Sequence, residues 1–123
     1  MTIHHLSLSS IPPYEGPNAI PGIRFRALRD ALGVTAWGMN VLEFEPHNEA
    51  YPEHTHDHDG QEEVYLVLSG EITLRTPEQT VTLETGDACR VPADVRRKLV
   101  TGVSPATVLA LGGTPGKPFT PTM

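Results

Sequence analysis

The sequence predicts an all-β fold, with antiparallel strands closed into a two-sheet sandwich or barrel. Three observations predict it. Short runs of β-forming residues recur at roughly 8–12-residue intervals, with turn signals between them. Twelve prolines stand among the 123 residues, about double the average share of ~5%, and proline is excluded from helix interiors. No window carries a convincing helical period: the best, Arg24–Leu32, is short and ends at Gly33.

The elements follow in order. Residues 1–22, with Pro12-Pro13, Gly16-Pro17 and Pro21-Gly22, read as an extended N-terminal arm. A first strand is expected over Ile23–Leu28, and Arg29 to Gly33 reads as a turn. Val34–Phe44 is a long strand candidate in which Gly38 marks a bulge or a close approach, and Pro46 ends it. Glu45–Gly60 is a polar loop rich in histidine. Glu63–Leu68 is a compact strand closed by a Ser69-Gly70 turn. Glu71–Arg75, Thr80–Glu84, Ala88–Val91, Lys98–Val100 and Thr107–Leu111 continue as short strands. The barrel is thus expected over residues 23–112, and residues 113–123 form an irregular tail.

Alternation assigns faces. Glu63 and Tyr65 share one face of their strand, and Glu62 points away from it. Val64, Leu66 and Leu68 make an apolar row on the opposite face, which must be covered by the arms or by a second subunit. Cys89 alternates in phase with Val91 and reads as small inward packing. Trp37 and Met39 read as core.

Composition excludes several functions. Nine basic against fifteen acidic residues give a net charge of −6, which weighs against a nucleic-acid partner. No apolar stretch approaches the ~18 residues of a membrane-spanning helix. A single cysteine allows no internal disulfide. The start of the chain lacks the charged and apolar regions of a secretion signal, so a cytoplasmic protein is expected.

Chemistry concentrates where the histidines do. All six lie in the first half of the chain, four of them between His47 and His58. His4, His5 and His47 read as solvated. His54 and His56 stand at i and i+2, so on a strand both imidazoles share one face and can reach one ion. Glu63 opens the next strand and can add a carboxylate. Two histidines and a carboxylate form one face of an octahedral site and leave positions open; iron, manganese, nickel and zinc all accept such donors.

These residues and their spacing resemble the cupin superfamily. Its first motif runs glycine, His-x-His, three or four residues, glutamate, six residues, glycine. Glu63 and Gly70 reproduce the latter half, within Gln61–Glu71. The second motif, glycine, five residues, proline, x, glycine, two residues, histidine, aligns on Gly86 and Pro92. The resemblance spans about Val34 to Leu111 and implies a double-stranded β-helix, or jelly-roll barrel. It also implies a homodimer and a metal-assisted pocket for a small molecule, of oxygenase or isomerase type, or else a metal-free binding pocket.

The ligand set implied is His54, His56 and Glu63. His56 with His58 is the alternative pair, having the usual four residues before Glu63, and Pro52 before His54 favours the first. The second motif's histidine falls on Arg97, and a protonated guanidinium cannot ligate a metal. Arg97 is expected either to pair with Glu63 or to bind an anionic group of the small-molecule ligand, and Tyr65, on the Glu63 face, to reach the pocket and donate to that ligand. The first motif's glycine falls on Asn48, which tolerates a left-handed backbone.

Overall fold

The computed structural model describes residues 2–119. Met1 of the expected arm and residues 120–123 of the expected tail lie outside them. Among the described residues seven strands carry the fold: β1 (Ile23–Arg26), β2 (Gly38–Phe44), β3 (Glu62–Arg75), β4 (Thr80–Glu84), β5 (Ala88–Val91), β6 (Lys98–Val100) and β7 (Ala106–Gly113). Every pairing among them is antiparallel. One sheet runs β1-β2-β7-β3-β5. The other places β4 and β6 against the far half of β3.

Strand β3 belongs to both sheets, which corrects the expected turn at Ser69-Gly70. The chain does not reverse there, because each half of β3 has its own partners. Residues 62–70 pair with β7, with a bulge between Val67 and Ser69. Residues 71–75 pair with β4. Gly70 bends the strand at φ 83°. A methyl group on it would lie 2.0 Å from the Pro105 carbonyl oxygen, so only glycine fits.

Further expectations change. Leu28–Leu32 forms a short helix, α1, rather than a turn, and Gly33 caps it in the left-handed conformation. It consequently ends β1 at Arg26. Strand β2 begins only at Gly38, paired with Gly112, although β7 runs on to Gly113, whose partner is Glu62 of β3. Trp37 is 48% exposed and not core, while Met39 packs against the apolar cluster outside the sheet. At the Asn48 position the left-handed residue is His47 (φ 55°). Asn48 is instead buried, and its Nδ2 donates to the Pro21 carbonyl at 2.8 Å.

The core lies between the sheets and includes Leu42, Phe44, Tyr65, Val67, Ile72, Leu74, Val91, Leu99 and Val108. A smaller cluster covers the outer face, where Leu6, Leu8, Ile11, Leu28 and Leu32 pack over Val41, Met39 and Leu109. The arm thus covers the β2–β7 part of that face. Leu68, at the end of the apolar row, is 38% exposed.

Candidate metal centre

Two local devices aim the loop histidines inward. His54 and Arg97 exchange both backbone hydrogen bonds, at 3.1 and 3.0 Å. Residues paired in this way project from the same face of the ladder, so both enter the space between the sheets. Further along, the His56 amide donates to the Ala93 carbonyl at 2.8 Å. The loop is therefore fixed to the chain that leads into β6, and its imidazoles meet Glu63 from β3.

The Glu63 carboxylate is the hub. Its Oε1 accepts from the Tyr65 hydroxyl at 2.9 Å and from Arg97 Nη1 at 2.9 Å. The Nε2 atoms of His56 and His54 lie 3.3 and 3.7 Å from the same oxygen. One ligand atom from each of His54, His56 and Glu63 falls within 4.8 Å of the others. The structure thus brings these three together.

The remaining ring nitrogens are already committed. His54 Nδ1 donates to the Pro52 carbonyl at 2.9 Å. His56 Nδ1 faces the Asp59 carboxylate at 3.1 Å and donates to it. In the neutral imidazoles this leaves each Nε2 with its lone pair toward Glu63, the tautomer that a metal ligand needs. His58 stands apart: its side chain is 65% exposed, its Nε2 is 3.3 Å from Asp59, and its ring stacks on that of His56.

Tyr65 and Arg97 sit behind Glu63. Arg97 is fully buried, with Nη1 on Glu63 and Nη2 donating to the Pro92 carbonyl at 2.7 Å. Tyr65 is also fully buried, and because its proton goes to Glu63, the Tyr51 hydroxyl donates to it at 3.0 Å. Burial, and then the neighbouring Glu63 charge, push the Tyr51 hydroxyl up. Burial leads among the causes that raise Tyr65. Neither Tyr65 nor Arg97 is among the side chains lining the adjoining cavity of about 470 Å³, whose walls include Tyr51, His54, Gln61 and Glu63.

Sequence reasoning missed Tyr51 and Asp59. Asp59 had a signal, since Asp59-Gly60 is a turn pair three residues after His56. Its Oδ1 also accepts the Gln61 amide at 3.1 Å, an Asx turn that holds the carboxylate in place. Tyr51 had none.

The charges shift one another. The Glu63 carboxylate raises His54 above its ordinary value of 6.5, against the cost of burial. Burial pushes Glu63 up, but His54, His56, Tyr65 and Arg97 together outweigh it and hold Glu63 below its ordinary 4.5. The signs give a window. A raised histidine adds stability below its unfolded value, lost as pH rises through the folded one. A lowered glutamate adds stability above its unfolded value, lost as pH falls through the folded one. Chelator-treated protein is therefore expected to be most stable between about pH 4.5 and 6.5. Urea midpoints measured across pH check this, and His54→Gln should flatten the alkaline limb.

The family model for the cupin domain matches residues 40–112. No curated protein matches the chain. Among solved structures, a cupin-superfamily sugar phosphate isomerase from Silicibacter pomeroyi is 26% identical. Its match covers 89% of this chain and 74% of that one, with a TM-score of 0.74. The polyketide cyclase RemF from Streptomyces resistomycificus is 16% identical over 98% and 88% of the two chains, with a TM-score of 0.76. A predicted oxalate decarboxylase from Thermotoga maritima is 21% identical over 91% and 97%, with a TM-score of 0.70. No helix among the described residues is long and apolar enough to cross a membrane. A jelly-roll barrel whose sequence matches that domain over most of its strands belongs to the cupin family.

Proposed function

We propose that this chain is a metal-binding cupin that acts on a small oxygenated molecule held in the cavity beside Glu63. One observation carries the reading: His54, His56 and Glu63 offer three ligand atoms within 4.8 Å, and both histidines already have Nδ1 hydrogen-bonded. That donor set fits a divalent transition metal such as iron, manganese, nickel or zinc, with positions left open. When bound, the metal supplies Lewis-acid polarisation of a substrate oxygen.

The chain's own residues do the rest. The Pro52 carbonyl and Asp59 hold the two imidazoles in one tautomer and orientation. Tyr65 and Arg97 fix the Glu63 carboxylate, and Tyr51 extends that hydrogen-bonded line to the cavity wall. Arg97 is the point of difference from a four-ligand site, because it brings a positive charge where a neutral imidazole would stand. In this reading it positions Glu63 and does not touch substrate. The 26% identity to a cupin-superfamily sugar phosphate isomerase supports an isomerase-type reaction.

The Arg97–Glu63 ion pair specifically favours a second reading, a metal-free binding cupin, because it neutralises the carboxylate without any ion. Elemental analysis of untagged protein separates the two. Near-stoichiometric metal is expected in the purified chain. A combined His54→Ala and His56→Ala variant should lose at least ten-fold of it while its circular dichroism is unchanged. Protein that stays empty after incubation with iron(II), manganese(II), nickel(II) and zinc(II) establishes the second reading.

A further inference from the structure

The cavity beside Glu63 exists because the inward row of the first sheet is nearly bare. Gly38, Gly112 and Glu63 are directly opposite one another on β2, β7 and β3. The next inward row places Asn40 and Ala110 before Tyr65. Two glycines and an alanine leave room above the sheet, part of it taken by the Phe119 ring over Gly38 and by Gln61 Oε1 over Gly112, where later positions of β2 and β3 carry Leu42, Phe44 and Val67. Gly38 and Glu63 are two strand spacings apart, about 10 Å.

Over Gly38 lies a second charged feature. The Phe119 ring rests on that glycine so closely that a Cβ there would meet it at 2.8 Å. The Arg29 guanidinium stacks on the same ring, 5.1 Å from its centroid. Both residues line the cavity, as do His54 and Glu63. Arg29 is anchored by α1, whose Gly33 cap and Val34 both donate to its carbonyl, at 2.9 and 3.0 Å. Its Nη1 meets Asp30, whose side chain is 72% exposed, so water screens that pair. Its Nε is buried and has no hydrogen-bond partner among the described residues. The planar, positively charged guanidinium on the cavity wall, beside apolar walls of Ile20, Phe25 and Leu111, matches a carboxylate on an apolar body.

We propose that Arg29 is the specificity-determining residue of this cavity: it binds the carboxylate of a small, partly apolar organic acid whose other end lies across the Gly38–Gly112 floor at Glu63. The assignment deepens the reading of the cavity as the binding site and names the class of molecule it takes. It leaves the ligand's acid group on the far side of the floor from the Glu63 carboxylate, where like charges are separated. It also gives α1 and the tail residue Phe119 a function, although both lie outside the matched domain segment.

The test titrates benzoate, benzyl alcohol and inorganic phosphate into the wild-type chain and into Arg29→Gln, following amide chemical shifts of Gly38, Ala110 and Gly112. Benzoate is expected to give saturable shifts at those residues, with affinity about ten-fold or more weaker in Arg29→Gln. Arg29→Lys should recover only part of it, and benzyl alcohol should bind both proteins equally weakly. Equal benzoate affinity in the two proteins overturns the proposal, as does the absence of saturable shifts in the wild type. Phosphate binding as tightly as benzoate overturns the assignment to an organic acid. Metal content of Arg29→Gln, measured on the same samples, is expected to equal that of the wild type. A chain that discriminates benzoate through Arg29 but takes up no metal retains this inference and loses the metal-binding reading.

Discussion

Glu63→Ala is expected to destabilise the chain by about 3–5 kcal/mol, the range for removing one partner of a buried ion pair. The cost comes from what is left behind. Arg97 is fully buried, and Glu63 is its acidic partner at 2.9 Å. Without that carboxylate the guanidinium keeps only the Pro92 carbonyl, and its Nε already lacks a partner among the described residues. Tyr65 loses the acceptor for its proton at the same time. Adding Arg97→Met should recover part of the loss, because removing the orphaned charge removes its desolvation penalty. Urea unfolding of the two single variants and the double variant measures the coupling. A Glu63→Ala protein within about 1 kcal/mol of wild type would mean that the pair behaves as a surface ion pair, contrary to its burial.

Gly70→Ala is expected to cost at least as much, about 3 kcal/mol or more, and to lower the yield of folded protein. Two independent penalties add. A φ of 83° disfavours any residue with a Cβ. The new methyl would also lie 2.0 Å from the Pro105 carbonyl oxygen and 3.0 Å from the Ala106 Cα, both backbone atoms that no rotamer change can move. Gly86→Ala is the matched control. It too has positive φ, 90°, but nothing lies within 4 Å of the added methyl. It should therefore cost about 1–2 kcal/mol, the backbone penalty alone. Denaturant midpoints of the pair separate strain from collision.

The strands β4, β5 and β6 were legible residue for residue, because Pro77-Glu78, Gly86-Asp87 and Pro92 to Asp94 bracket them without ambiguity. Ser69-Gly70 misled for the opposite reason: a serine–glycine pair signals a turn locally, and only the different partners of residues 62–70 and 71–75 turn it into a bend within one strand. Trp37 was assigned to the core by alternation, yet it precedes β2, whose ladder begins at Gly38, and is left 48% exposed. At the site, the His-x-His spacing and Glu63 were readable from period-2 geometry and motif spacing. The burial of Arg97 was not, since it depends on a two-way bridge to His54 across a loop. Nor was the cavity floor, because Gly38 and Gly112 stand far apart in sequence and become neighbours only through sheet register.

The sharing of β3 between the sheets has a consequence for cooperativity. Glu63 sits near one end of a 14-residue strand whose other end is held by β4 and β6. Neither half of the barrel can open as a separate foldon, since melting one half strips the backbone partners from a strand that the other also uses. The hub carboxylate therefore rides on a segment whose amides are expected to be among the last to exchange, while the histidine loop facing it is tethered at only a few backbone points. Adaptation of the site to a ligand then falls to the imidazoles, with the acid as the fixed reference.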